Sequence, residues 1–131
     1  MREFPKYAFQ ELEKAFSKLK EGAASAQDEL DKDGVIQRFE FTFEQLWKTL
    51  KIFLEHQGII VKTPRDSFKE AFRIDLFKDE EIFFDMMEDR NRTSHIYDKE
   101  VSEEIFKKIK SCYIQAIEKV LEKLKERFEK S

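Results

Sequence analysis

Cationic, imidazole, hydroxyl and carboxylate side chains crowd into one short stretch of the chain, from Arg90 to Asp98. On one unbroken helix, Arg90 and His95 would lie about 140° apart, on different faces. If the chain turns between them, both can face one pocket, where His95 could move a proton and Arg90 could stabilise charge developing on a phosphate. The stretch therefore suggests phosphodiester chemistry without metal. An Arg90–Asp98 ion pair, with His95 as a hydrogen-bonding loop residue, explains it at least as well.

A basic stripe is the second candidate for contact with a phosphate. Its cations are spaced so that a helix would place most of them on one face: Lys62, Arg65, Lys69 and Arg73. A solvated helix face opposite Phe68 and Phe72 accounts for the same pattern more simply. The stripe therefore matters for function only if it borders the pocket at Arg90.

An acidic segment matches the spacing of a calcium-binding EF-hand loop. The match covers ligand positions, the central glycine and the final glutamate: Glu29, Asp31, Asp33, Gly34, Ile36 and Glu40. Against calcium, the segment begins with Glu instead of Asp, no second loop pairs with it, and its last residues follow the apolar period of the next helix. We therefore expect Asp31–Gly34 to end one helix before another begins, and we expect no metal site here.

The composition indicates one helix-rich domain over residues 1–131. With three Gly and two Pro, the chain has too few turn residues for an all-β sandwich or barrel. Its apolar runs are too short for a membrane span or a signal peptide, and its single cysteine, Cys112, cannot form an internal disulfide, so we expect a cytoplasmic protein. The formal charge of -3 gives no global attraction to nucleic acid or membrane, so RNA binding would need a local patch.

Apolar residues that recur every three or four positions predict the helices that must position these groups. The expected helices span 4–29, 35–58, a short segment with Thr63 as N-cap and Pro64 at its first position, a segment from about Asp79 to near Asn91, and a last helix capped by Asp98. The last helix keeps an apolar stripe, including Cys112 and Ala116, over a length of roughly 45 Å. Because a globule of this size has a radius of gyration of about 14 Å, the bundle must be elongated or paired as a homodimer.

The stretch from Arg90 to Tyr97 resembles the signature of the HEPN superfamily. That signature has an Arg, a polar residue, a spacer and a His at the start of the last helix, with a Tyr two residues later in one form: here Arg90, Asn91, His95 and Tyr97. The run from Asp33 to Glu44, followed by Trp47-Lys48-Thr49-Leu50, resembles the helix-two signature of the nucleotidyltransferase substrate-binding family. Together the two stretches anchor nearly the whole chain.

The resemblance implies an all-α, elongated up-and-down bundle of four main helices and a short one. It also implies a homodimer that works with a separately encoded minimal nucleotidyltransferase, often as a toxin and antitoxin pair. By this analogy Arg90 and His95 would cleave RNA without metal or another cofactor, and Asn91 would support them. Nucleotidyl groups placed on Tyr97 by the partner would silence the nuclease.

The same residues allow other functions. In the first alternative, the chain is a non-catalytic subunit that binds a nucleotide or substrate for the transferase, with Arg90 and His95 as phosphate ligands. In the second, it is a purely structural dimer. In either active form, further contacts with phosphate or RNA would come from nearby cations: Arg92, Arg65, Lys69 and Arg73.

Overall fold

The computed structural model describes residues 6–95 and 97–130, with the backbone but not the side chain of His95. All regular structure in these residues is helical: α1 (Lys6–Ser25), α2 (Glu29–His56), α3 (Pro64–Arg73), α4 (Glu80–Arg92), a 3₁₀ turn (Thr93–His95), α5 (Lys99–Lys108), a π turn (Ile109–Tyr113) and α6 (Ile114–Lys130). The last three join without a break into one helix. The described chain therefore has four main helices and the short α3, which confirms the predicted all-α bundle.

The predicted boundary between the first two helices is wrong. Asp31–Gly34 does not end α1 but lies inside α2, which begins at Glu29. The reason is a capping box at Asp28: its carboxylate accepts from the Asp31 backbone N–H at 2.8 Å, and the Asp31 carboxylate accepts from the Asp28 backbone N–H. Gly34 is tolerated in the helix interior because buried apolar residues that follow it, beginning with Val35 and Ile36, hold α2 against the core.

The predicted starts of the third, fourth and last helices are confirmed, whereas the predicted start of the first helix, near Phe4, lies outside the described residues. The Thr63 hydroxyl accepts from the Asp66 N–H ahead of Pro64, Asp79 accepts from the Ile82 N–H, and Asp98 accepts from the Glu100 N–H. At the other end of α2, Gly58 follows the C-cap with a φ of 83°, as its position in the sequence predicts.

Within the core, a chain of aromatic rings links α2, α3 and α4. Phe43 contacts Phe68 with ring centroids 5.6 Å apart, and Phe68 contacts Phe83 at 5.5 Å. Phe72, near the end of α3, contacts Phe77 of the α3–α4 connection at 6.1 Å, whereas Arg65, near the start of α3, lies 5.2 Å from the ring of Phe84 on α4. α3 and α4 are therefore antiparallel, and the start of α3 lies beside the second turn of α4.

The π turn changes which residues of the last helix face the core near residue 112, whereas the predicted inward residues Val120 and Leu124 are buried. The predicted inward stripe contains Cys112 and Ala116, but Cys112 is exposed, and the buried residues are Tyr113 and Ile117. A π turn has one more residue than an α turn, so it advances the inward positions by one. Tyr113 stacks on Phe39 of α2, with centroids 5.6 Å apart, which fixes this phase in the core.

Candidate functional site

The chain turns where the candidate site needs it to turn. α4 ends at Arg92, the 3₁₀ turn covers Thr93–His95, and α5 begins at Lys99. The buried Thr93 hydroxyl donates to the carbonyl oxygen of Arg90 at 2.6 Å, which satisfies one of the terminal carbonyls of α4. Arg90 therefore lies on the last turn of a helix, and Tyr97 lies on the far side of a corner, as predicted.

Arg90 points from α4 towards α2. Its Nη2 lies 3.4 Å from Oε1 of Glu44, whose other oxygen accepts from Trp47 Nε1 at 3.1 Å. The Arg90 Nε is buried and has no hydrogen-bond partner among the described residues. Its side chain is still 32% exposed, and a guanidinium carries five N–H donors, so amino hydrogens remain that could contact an anion.

The predicted alternative partner of Arg90 is engaged elsewhere. The Asp98 carboxylate accepts from the backbone N–H groups of Glu100 and Val101, so it caps α5 and does not pair with Arg90. The side chain of His95 lies outside the described residues, and its convergence with Arg90 stays a prediction. Asn91 is exposed on α4, and Tyr97 is 84% exposed, so both are accessible from solvent.

Arg92 is held by two carboxylates. It donates to both oxygens of Glu104, at 2.9 and 3.2 Å, and to Asp89 at 3.1 Å. The hydrogen bonds raise the pKa of Arg92 and lower the pKa of the Glu104 carboxyl. A phosphate that binds Arg92 would therefore have to displace Glu104, which makes this cation a weaker candidate than its place in the sequence indicates.

Asp89 is the site residue that sequence reasoning missed. With Asp85 and Glu88 it forms an acidic cluster typical of a solvated face, yet Asp89 is only 2% exposed. It accepts a short hydrogen bond from the Tyr113 hydroxyl, and the Lys108 Nζ lies 3.4 Å away. Its burial could have been predicted from helical periodicity, because Asp89 follows the buried Met86 by about one helical turn and so lies on the same face of α4.

This buried contact ties the corner to the last helix. Burial, and next the hydrogen bond to Asp89, raise the pKa of Tyr113 far above its ordinary value, so the hydroxyl stays a donor. Asp89 precedes Arg90 on α4, while Tyr113 lies on the π turn. The brace formed by Asp89, Tyr113, Arg92 and Lys108 therefore fixes the helix end that carries Arg90.

The basic stripe is exposed along α3, as predicted for a solvated face. Arg73 pairs with Glu70 at 3.2 Å, and the Arg65 guanidinium stacks 5.2 Å from the ring of Phe84 on α4. Lys62 precedes α3; among the three cations on the helix, Arg65 is nearest to the second half of the antiparallel α4, and Arg73 is the farthest. Of these three, Arg65 is therefore the nearest to Arg90 along α4, and Lys69 lies between the other two.

The calcium-loop spacing has no structural counterpart. The whole acidic segment lies on straight α2, where side chains radiate outward and cannot wrap around an ion. The Asp33 carboxylate accepts from the Ser102 hydroxyl at 3.0 Å and helps to pack α5 on α2. Among the described residues there is no group of three His, Cys, Asp or Glu side chains that could hold a metal ion.

Comparison with known proteins identifies the family. Residues 7–126 match the model of the family described as nucleotidyltransferase substrate binding protein like. The chain belongs to this family. A search of the curated proteins gave no match.

Two solved structures related to this chain support the membership. A Thermus thermophilus protein, ttk003001694, has 33% sequence identity and a TM-score of 0.81, with 86% of this chain and 98% of that chain covered. HI0074 from Haemophilus influenzae has 25% identity and a TM-score of 0.82, covering 89% of this chain and 98% of that chain. The HI0074 structure is described as revealing the fold of a substrate binding domain of a nucleotidyltransferase.

The family match spans every candidate residue of the corner and of the basic stripe. The match also confirms the family resemblance that the sequence shows in the second helix, in the run from Asp33 to Glu44. No helix in the described ranges combines the length and the apolar character that a bilayer crossing requires.

Proposed function

We propose that this chain is the substrate-binding subunit of a two-protein nucleotidyltransferase. In this proposal a separately encoded partner transfers the nucleotidyl group, and the chain binds a nucleotide or the acceptor substrate. The observation that carries it is the family match over residues 7–126. The likeness to HI0074 supports it, because that protein is described in terms of the same function. The comparisons thus favour the substrate-binding hypothesis over the nuclease.

The corner between α4 and α5 is the proposed binding site. Arg90 is rigidly placed by α4, is held by Glu44 and keeps unused donors for a phosphate. In the proposal His95 is a second phosphate ligand, and Asn91 and Tyr97 lie at the rim. The Arg65 end of the basic stripe adds positive charge nearby.

Binding of AMP and ATP, measured by calorimetry with and without the transferase, tests this site. We expect Arg90→Gln to weaken binding about tenfold or more, because it removes a charge-assisted hydrogen bond to the phosphate. Arg127→Gln on α6 is the matched control and should change affinity less than about twofold, since a lone surface charge contributes little. Absence of binding with and without the partner, or equal binding by Arg90→Gln, would contradict the proposal.

A metal-independent endoribonuclease is the second candidate, and the corner geometry favours it. The chain reversal between Arg90 and Tyr97 is what convergence of Arg90 and His95 requires. The exposure of Tyr97 suits a modified residue, and AMP on its oxygen would add bulk and negative charge beside groups that must receive an RNA phosphate.

The nuclease is tested with structured RNA in EDTA, comparing the wild type with His95→Ala on a denaturing gel. Cleavage that is lost in His95→Ala would support it. Equal cleavage by the two proteins would remove His95 as a catalyst, and no cleavage by either folded protein would leave the substrate-binding proposal alone.

We also propose a homodimer and a single domain over residues 1–131. In support, α2 is 28 residues long and so about 42 Å, which exceeds the diameter of about 36 Å of a compact globule of this size. One hydrophobic core contains buried residues from Phe9 to Leu124, which supports a single domain. Light scattering after gel filtration should give twice the chain mass of 15.8 kDa; a mass of one chain at micromolar concentration would contradict the dimer.

A further inference from the structure

A cavity of about 580 Å³ lies between the α3–α4 connection and the long last helix. Its floor is apolar: Leu76, Ile82 and the stacked rings of Phe77 and Phe83, whose centroids are 4.1 Å apart. Small-molecule sites are typically mostly apolar concavities of about 300–1,000 Å³ with a few polar groups that orient the ligand. The cavity has the size and the floor of such a site.

Three lysines from two separate elements line the same cavity. Lys78 comes from the α3–α4 connection, and Lys119 and Lys123 lie one turn apart on α6. Among the described residues, none of the three lies within 4 Å of a carboxylate oxygen. Three such cations beside an apolar floor are complementary to an amphipathic anion.

Acidic residues at the cavity offset these charges only in part. Asp79 uses its carboxylate to cap α4, accepting from the Ile82 N–H at 3.3 Å. Asp75 is the other acidic lining residue and is exposed in the connection, where it adopts a positive φ of 64°. The cations therefore outnumber the carboxylates that face the cavity.

The π turn forms the opposite wall. Ser111 and Cys112 both line the cavity, and Cys112 is exposed because the π turn rotates it out of the core. Turns of this kind occur frequently at functional sites, since they cost stability within an α-helix. Cys112 is also the one cysteine in the chain, which makes it a chemical reporter for this cavity.

We propose that this cavity is a second binding site, which takes a small organic phosphate with a flat, largely apolar group. The phosphate would contact Lys78, Lys119 and Lys123, and the flat group would lie over the floor at Ile82. The site is separate from the corner, because Ile82 and Arg90 lie eight residues apart on α4, about 12 Å along the helix axis. It does not depend on the proposed function.

AMP is a suitable probe because it combines a phosphate with a flat base. The rate at which neutral iodoacetamide alkylates Cys112 is measured by mass spectrometry at rising concentrations of AMP, adenosine or inorganic phosphate. We expect AMP to slow the reaction saturably, and each half of AMP to protect at least about tenfold more weakly, because each makes only part of the contacts.

The variant Lys119→Gln/Lys123→Gln separates binding at this cavity from binding elsewhere. It should raise the AMP concentration needed for half-protection about tenfold or more, as loss of charge-assisted contacts requires. The matched control Lys107→Gln/Lys125→Gln removes the same charge from exposed positions of the same long helix. In this control, AMP should protect Cys112 at the same concentration as in the wild type. Circular dichroism at 222 nm is used to check that both variants are folded.

Three results would overturn the second site. One is no protection of Cys112 at millimolar AMP, another is equal protection in Lys119→Gln/Lys123→Gln, and the third is protection by adenosine as strong as by AMP. Arg90→Gln distinguishes the two sites: it should leave protection of Cys112 unchanged even where calorimetry shows that nucleotide binding at the corner is lost. Loss of protection in Arg90→Gln would show that the cavity is not an independent site.

Discussion

Replacement of Asp89 by Asn tests the brace that holds the α4–α5 corner. The Asp89 side chain is 2% exposed and accepts from Tyr113 Oη and Arg92 Nη1, with Lys108 Nζ 3.4 Å away. Asn keeps an acceptor for the Tyr113 hydroxyl but removes the charge that the two cations face. The change therefore isolates the electrostatic part of the brace.

The expected cost follows from these contacts. A hydrogen bond to a charged group contributes about 1.5–3 kcal/mol, and breaking a buried ion pair costs about 3–5 kcal/mol when the remaining charge is trapped. Here the remaining cations are 36% and 41% exposed, so water screens them and the cost is reduced. We expect Asp89→Asn to lower the free energy of unfolding by about 2–3 kcal/mol, a fall in Tm of about 10 °C.

Urea unfolding followed by circular dichroism at 222 nm measures this change. Glu88→Gln, which removes a neighbouring exposed carboxylate, should change the free energy of unfolding by less than about 0.5 kcal/mol. A double-mutant cycle between Asp89→Ala, which removes the acceptor, and Tyr113→Phe should give a coupling energy above about 1 kcal/mol. If Asp89→Asn is as stable as Glu88→Gln, or if the two changes at Asp89 and Tyr113 are additive, the brace does not stabilise the corner.

Three further predictions concern stability. Gly34→Ala should raise the free energy of unfolding in urea by about 0.5–1 kcal/mol, because Gly34 lies inside α2 with nothing within 4 Å of an added Cβ. Gly58→Ala should lower it by about 1 kcal/mol, since the φ of Gly58 is 83°. A lower stability of Gly34→Ala would instead indicate that a helix ends near Gly34. Asp28→Ala should cost about 1 kcal/mol through loss of the capping box, and an unchanged urea midpoint would contradict that cap. The fold raises the pKa of Tyr113, so just above the ordinary tyrosine pKa of about 10 this group ionises only in the unfolded chain. The free energy of unfolding of the wild type should therefore be fully retained below pH 10. Above pH 10 it should fall by up to about 1.4 kcal/mol per pH unit more than that of Tyr113→Phe, and parallel pH profiles of the two proteins would refute this.

Local signals in the sequence predicted local structure well. Thr63-Pro64, Asp79 and Asp98 each cap a helix through backbone groups within three residues, so the sequence contains all the information needed. The boundary near Gly34 was mispredicted because its glycine and acidic residues are also compatible with a helix interior. Only the apolar stripe of α2 and the cap at Asp28 decide between the two.

Long-range contacts explain what the sequence could not show. The π turn moves the inward position from Cys112 to Tyr113, so that Tyr113 reaches Asp89 and the ring of Phe39. Both partners are far from Tyr113 in the sequence. No local pattern marks such a turn, and a regular heptad-like stripe passes through it without interruption. Likewise, the sequence identified Arg90 as a candidate but not its partner Glu44, which lies on another helix.

Asp89 and Arg90 are neighbours at one helix end but contact different parts of the fold, so the stability of the corner and the proposed binding at Arg90 can be tested separately. Adjacent residues on an α-helix point about 100° apart, and here Asp89 turns towards Tyr113 while Arg90 turns towards Glu44 on α2. The buried carboxylate is fully engaged by the brace, whereas the guanidinium is partly exposed and keeps donors that the fold does not use. In the proposed site, substitution of Arg90 would remove a ligand contact while the Asp89 brace continues to hold the corner. For this reason, a loss of nucleotide binding in a normally stable Arg90→Gln protein would indicate that the guanidinium itself recognises the nucleotide. The same loss in Asp89→Asn would indicate that binding depends on the brace that holds Arg90 in place.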